Sequence, residues 1–244
     1  MGTSKYKETA TSNRKLLQEN EVTYTDRHWK TLARLRSSAK YMMKPLVDAH
    51  FYCIVYGSIA RGDTSETSDI DVYLPNPPSP TMIEATLESS GIRYVRREIV
   101  QATPSYAAKA YIYIDDLKSY SFPLVPLKPS EEEFTGFAGR ITYDEMSKNQ
   151  RVPGVNKDLF LIEPTEEGHT ETAIKGIEGI VAKKLGVDTT IVYQRERTLE
   201  RRMRVGRTGV YIKRELAPDE SFSSVFNEIT NSNAAIRRRL RKKG

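Results

Sequence analysis

Cysteine is almost missing from these 244 residues: Cys53 stands alone, so no internal disulfide is available. A chain without that staple reads as one built for a reducing compartment, here the cytoplasm. Long apolar runs are missing too. None approaches the roughly 20 residues that a bilayer span requires, and Met1–Asn20 is polar, without the apolar core of a signal segment. Histidine is scarce, at three residues, and no Cys/His cluster has metal-ligand spacing. The chain also lacks internal repeats, a G-x-x-x-x-G-K-[ST] loop and a defensible Ser-His-Asp order. These absences exclude a membrane span, a disulfide scaffold, a zinc module and a P-loop enzyme. With 38% hydrophobic and 29% charged residues, the chain has an ordinary globular composition.

What the sequence does contain is an apolar run, Phe51–Tyr56, that stops abruptly at Gly57-Ser58. That pattern predicts a buried strand breaking into a tight turn. Ten residues separate Ser58 from Asp69, and Asp69 and Asp71 then sit two apart around the apolar Ile70, Val72 and Leu74. Residues two apart on a strand share a face, so the two carboxylates project side by side. Adjacent carboxylates repel, and a cation relieves the repulsion. Mg²⁺ or Mn²⁺ takes carboxylates together with substrate phosphates and water. A Gly-Ser turn presents backbone N–H groups and a hydroxyl to phosphate oxygens with no bulky side chain in the way. Gly57, Ser58 and Arg61 are therefore the candidate nucleotide-binding residues, and Asp69 and Asp71 the candidate catalytic metal ligands.

The G-S-x(10)-D-x-D pattern resembles the signature of the polymerase-beta-like nucleotidyltransferase superfamily, which includes CCA-adding enzymes. The resemblance covers roughly residues 25–130. It implies an α/β (α+β) domain with a mixed sheet backed by helices, a nucleoside triphosphate as substrate, and transfer of a nucleoside monophosphate to a hydroxyl. It also implies a third carboxylate on a later strand. By position that acid belongs in Tyr120–Leu124, where there is none. Asp115, at the preceding turn, is the best candidate; Asp116 and Glu98 stand near it.

Around the motif, Trp29, Leu32, Leu35, Ala39, Met42 and Met43 recur at helical spacing. They predict a helix over 26–43, ended or kinked by Pro45, with Trp29 in the core. A helix from Thr81 to Gly91 and strands over 92–100, 110–114 and 120–125 follow. Residues 159–162 read as a further short strand, and His169 as structural or junctional.

Charge divides the chain. Residues 1–150 carry 19 Lys/Arg and 19 Asp/Glu, whereas residues 151–244 carry 19 and 13. From Thr170 the pattern predicts a helix, a tight turn at 186–188, an arginine-rich helix, and a basic hairpin with its tip at 206–209, followed by a helix near 221–229. That order resembles a winged helix-turn-helix. Arg195, Arg197, Arg201, Arg202, Arg204 and Arg207 are the candidate nucleic-acid contacts. The expected organisation is a flexible segment over 1–22, a transferase domain over 23–165, a winged-helix-like domain over 166–232 and a basic tail over 233–244. The expected partners are a nucleoside triphosphate and a nucleic acid, RNA such as tRNA or DNA, with no membrane and an open oligomeric state. The alternatives are a DNA-binding regulator with a weak, nucleotide-sensing transferase domain, an antitoxin-type enzyme that nucleotidylates a protein, and a transferase for a small hydroxylated molecule.

Overall fold

The computed structural model describes residues 19–206 and 208–241. In chain order the elements are β1 (Glu19–Thr23), α1 (Asp26–Asp48), β2 (Ile54–Tyr56), α2 (Ser58–Arg61), β3 (Ile70–Tyr73), α3 (Pro80–Ser89), β4 (Arg96–Gln101), β5 (Lys109–Tyr113) and β6 (Lys118–Pro123). Then come α4 (Pro129–Glu132), α5 (Phe134–Ala138), β7 (Arg140–Thr142), α6 (Tyr143–Ser147), β8 (Gly154–Val155), β9 (Phe160–Pro164) and β10 (Gly168–Ala173). The chain closes with α7 (Glu178–Leu185), α8 (Thr189–Val205), β11 (Ile212–Glu215), α9 (Phe222–Ser232) and α10 (Ala234–Arg241). This is the mixed α/β (α+β) class.

A seven-stranded sheet runs in the order β11-β4-β5-β6-β3-β2-β7. Its β3–β6 pair is parallel and its other pairs are antiparallel. Alternation decides its faces. Ile70, Val72 and Tyr120 are buried against α1, which contributes Leu35, Ala39, Met42, Met43 and Leu46. Asp71, Ser119 and Ser121 take the opposite face. Burial of that α1 stripe is the main apolar gain of the sheet, at about 1.5–3 kcal/mol per large side chain. The Thr25 side chain caps α1 by accepting from the His28 amide. Of the two outcomes expected at Pro45, an end to the helix is not the one seen: Pro45 lies inside it, and α1 runs on to Asp48. One backbone bond is forfeited there, while Leu46 one position on is fully buried, which carries the helix through. Trp29 is half-buried under the Arg151 guanidinium rather than in the core.

A second, antiparallel sheet runs β1-β10-β9-β8. Residues 19–22, expected in a flexible lead-in, belong to the strand Glu19–Thr23 paired with β10; residues 1–18 of that segment lie outside the described residues. The expected division at 165–166 falls between two paired strands, β9 and β10. Among the described residues, no strand pairs with Ile212–Glu215 as the second arm of a basic hairpin, and α8 runs through Val205. Ile212–Glu215 pairs with β4 and becomes the edge of the large sheet, because the open backbone edge of β4 is a better partner than a two-stranded wing. The two helices before it do pack as a pair around a tight turn at Gly186, burying Val181, Ala182, Ile191 and Val192 against Phe137, Val155 and Leu161. Helix α9 returns to the main core, with the Phe222 ring 5.5 Å from that of Phe122. Residues 242–244 of the basic tail are not among those described. No helix among the described residues is long and apolar enough to cross a membrane.

Phe222 is fully buried, so Phe222→Ala is expected to cost about 3–5 kcal/mol. In urea denaturation the whole chain should unfold at a lower midpoint in one transition. Two transitions, of which only one moves, would show that the C-terminal third folds independently.

Candidate active site

The end of β2 sets the site. Gly57 has φ 82° and ψ −146°, a backbone region that side chains disfavour. Its amide donates to Gly139 O at 2.8 Å, and the chain turns at once into α2. Two buried arginines hold that turn. Arg36, from α1, donates to Ile59 O at 3.0 Å, Ala60 O at 2.9 Å and Gln150 O at 2.6 Å. Burial, and then the nearby Arg151, push its guanidinium down to about 10. Arg61 forms a two-pronged ion pair with Asp63, at 3.0 and 2.8 Å, and donates to Ala138 O and Val155 O. It was expected to reach phosphate. Its donors are committed to protein acceptors instead, and the side chain is buried, so the phosphate role for Arg61 is withdrawn.

A cavity of about 1000 Å³ opens over this turn, and its lining includes Ser58, Asp69, Asp71, Arg195 and Arg202. The ten-residue spacing closes as expected: Ser58 Oγ donates to Ser68 Oγ at 3.3 Å, beside Asp69. Asp69 and Asp71 both face the cavity, and their environments differ. Asp69 is open to solvent, its side chain 70% exposed, with Lys157 Nζ at 3.9 Å. Asp71 accepts three hydroxyl hydrogen bonds. Tyr56 and Ser121 donate to Oδ2 at 2.8 and 2.7 Å, and Ser119 donates to Oδ1 at 3.2 Å. Burial pushes the Asp71 carboxyl above its ordinary value; the bonds from Ser121 and Tyr56, the charge of Lys109 and the Ser119 bond oppose it without cancelling it. Tyr56 is itself pushed well above the usual phenol range, by burial and then by the Asp71 charge, so it stays a donor. The enclosed Lys109 ammonium lies 4.5 Å from the Tyr73 ring centroid, and burial holds its pKa below the usual lysine range against the pull of Asp71.

Asp115 is not brought to this cluster. Its carboxylate caps its own turn, accepting from the Leu117 amide at 2.9 Å and Lys118 Nζ at 2.7 Å. Burial raises its pKa, but those hydrogen bonds together hold it below the usual carboxylate range. On β6, whose register sets Ser119 beside Asp71, the cavity-facing positions are serines. Sequence reasoning missed Tyr56, Ser119 and Ser121 as partners of Asp71. The signal was present in the alternation Ser119-Tyr120-Ser121-Phe122, small polar against large apolar.

The arginines of α8 divide by helix face. Arg195 and Arg202, seven apart, line the cavity with Leu199 between them. Arg197, Arg201 and Arg204 are exposed and are not cavity-lining, and Arg207 lies outside the described residues. His169, expected to be structural, is buried in the rim of the cavity; Nδ1 is 2.7 Å from the Tyr24 hydroxyl and Nε2 3.1 Å from Glu171.

Residues 52–207 match a family model described as "Nucleotidyltransferase domain". That span holds the Gly-Ser turn, both aspartates and the arginines of α8. Comparisons with curated proteins and with solved structures gave no match.

Because the folded-state pKa of Asp71 is raised, the native state holds its proton more tightly than the unfolded chain. Its contribution to stability is therefore full below the ordinary aspartate range and declines as pH rises through the folded-state value. Asp71→Asn removes that penalty. In the presence of a chelator, the stability of the variant relative to the parent should grow with rising pH. A gap that is flat, or that narrows as pH rises, would mean that burial does not dominate at this carboxyl.

Proposed function

The chain belongs to the nucleotidyltransferase domain family, and from that premise we propose that it transfers a nucleoside monophosphate from a nucleoside triphosphate to a hydroxyl acceptor. The observation that carries this reading is the pairing of Asp69 and Asp71 in the cavity lining beside the Gly57-Ser58 turn. The acceptor oxygen bonds to the α-phosphorus, the bond from that phosphorus to the bridging oxygen breaks, and pyrophosphate leaves with the electron pair. The acceptor proton passes to solvent. Such a transfer needs alignment and charge neutralisation more than covalent help.

The donor set fits a hard divalent cation. Asp69 accepts no hydrogen bond from the described residues, and Oδ1 of Asp71 carries one long bond, so carboxylate oxygens remain for a metal that also takes phosphates and water. When bound, Mg²⁺ or Mn²⁺ supplies the positive charge that draws electron density from the transferring phosphoryl group. Tyr56, Ser119 and Ser121 hold Asp71 in place for that ion. Ser58 and the turn amides offer donors to the triphosphate.

A nucleic acid is the acceptor this reading favours. Arg197, Arg201 and Arg204 are exposed on α8, and none has a carboxylate within ion-pair distance among the described residues. Such a face suits a phosphate backbone. A second reading draws on one observation: serines stand on β6 where a third acid is expected. A transferase domain without that acid would serve as a nucleotide sensor, binding without turnover.

The experiment is incubation with Mg²⁺ or Mn²⁺, each α-labelled nucleoside triphosphate, and total RNA. Label should enter RNA with release of pyrophosphate, and Asp69→Ala and Asp71→Ala should each lower the rate by about 100-fold or more, as expected for loss of a group aimed at transition-state charge. Nucleotide binding without pyrophosphate release would favour the sensor. Transfer no greater than that of the Asp69→Ala, Asp71→Ala double variant would remove the transferase reading.

A further inference from the structure

We propose that Arg195 and Arg202 form the seat for the β- and γ-phosphates, the pyrophosphate end of the substrate; this rests on the nucleotidyl-transfer reading of the same cavity. Among the described residues, Arg195 donates no hydrogen bond, its Nε is buried without a partner, and no carboxylate lies within ion-pair distance of either arginine. A largely enclosed guanidinium without a counter-charge is costly. A second cation, the exposed Arg202, lies on the same helix face, about 10 Å away along the axis for seven residues of helix, and both line the cavity. Arg202 is close enough to lower the Arg195 pKa, second only to burial as a cause. This arrangement asks for an anion of several charges.

The Arg195 guanidinium is also preset. Its carbon lies 4.6 Å from the centroid of the Phe134 ring, Phe134 meets the Tyr56 ring edge-on at 5.7 Å, and Tyr56 donates to Asp71 at 2.8 Å. An unbroken line of contacts thus joins Asp71 to Arg195. The planar fork of arginine matches phosphate oxygens in pairs. The role expected of Arg61 falls instead to residues more than a hundred positions later, and two of the six arginines assigned to nucleic acid serve the nucleotide.

Calorimetric titration of the full chain with inorganic tripolyphosphate, in chelator, tests this. Arg195→Met and Arg202→Met should each weaken binding about tenfold or more, as expected for loss of a charge-assisted hydrogen bond. Arg195→Lys, which keeps the charge and loses the fork, should fall between parent and Arg195→Met. Arg202 is exposed, so its variant keeps the test open where Arg195→Met fails to fold. Unchanged affinity in Arg202→Met and Arg195→Lys, or no tripolyphosphate binding by the parent, overturns the proposal. Asp69→Asn, Asp71→Asn should bind metal-free tripolyphosphate at least as well as the parent while losing label transfer. Transfer retained by that variant would sink the transferase reading and leave the arginine seat standing.

Discussion

Arg36 holds the molecule's working parts together. Its guanidinium, buried under α1, donates to the carbonyls of Ile59, Ala60 and Gln150. Those carbonyls belong to a one-turn helix and a loop too short to satisfy them internally. A buried carbonyl without a donor costs about 1–3 kcal/mol; Arg36 supplies donors, joined at Ala60 O by the Val152 amide at 3.3 Å, and so steadies the turn at Gly57-Ser58. Arg61 completes the clamp from inside the turn, bonded to Asp63, Ala138 O and Val155 O. The long helix, the β2 turn and the second sheet are thereby fixed to one another, and the cavity sits where they meet.

The cavity is built from opposed charges kept apart. Its lining carries Asp69 and Asp71 as well as Arg195 and Arg202, and Asp71 is separated from Arg195 by the rings of Tyr56 and Phe134. Neither pair neutralises the other directly. The aromatic chain Tyr56–Phe134 spaces them and anchors both ends. A triphosphate with its cation would satisfy both pairs at once, the acids through the metal and the arginines through the outer phosphates. Burial disfavours charge on both sides, raising the Asp71 carboxyl and lowering the Arg195 guanidinium. Such tension is expected where a site is shaped for a ligand rather than for its own repose.

Short-range patterns carried well from sequence to structure. Ile70-Asp71-Val72 alternates as a strand must, and both carboxylates arrive on the cavity face. Asp188 caps α8 through the Thr190 amide, as the turn at 186–188 implied. The failures were of another kind. Ile212–Glu215 carries a pattern that suits a hairpin as well as a sheet edge, and nothing near it in the chain distinguishes the two. Asp115 has the right charge near the right strand, yet its own turn claims it. Arg61 lies beside the phosphate turn and is taken by Asp63, two residues away.

The amino-acid order by itself determined the strand-turn-strand unit, the spacing of Ser58 from Asp69 and the side of β3 that Asp71 takes, opposite Ile70 and Val72, because these follow from chain periodicity over neighbouring residues. Tertiary structure alone decided that Tyr56, Ser119 and Ser121 surround Asp71, that the Arg61 guanidinium is taken up by Asp63, Ala138 O and Val155 O, and that Arg195 lines the cavity. Those partners are brought together by strand register and helix packing across separations of 15 to 50 residues around Asp71, and by the docking of α8 beyond the end of the second sheet. Hydrogen bonds at such distances depend on which backbone edges pair, and a one-residue slip in any strand would turn each side chain to the other face.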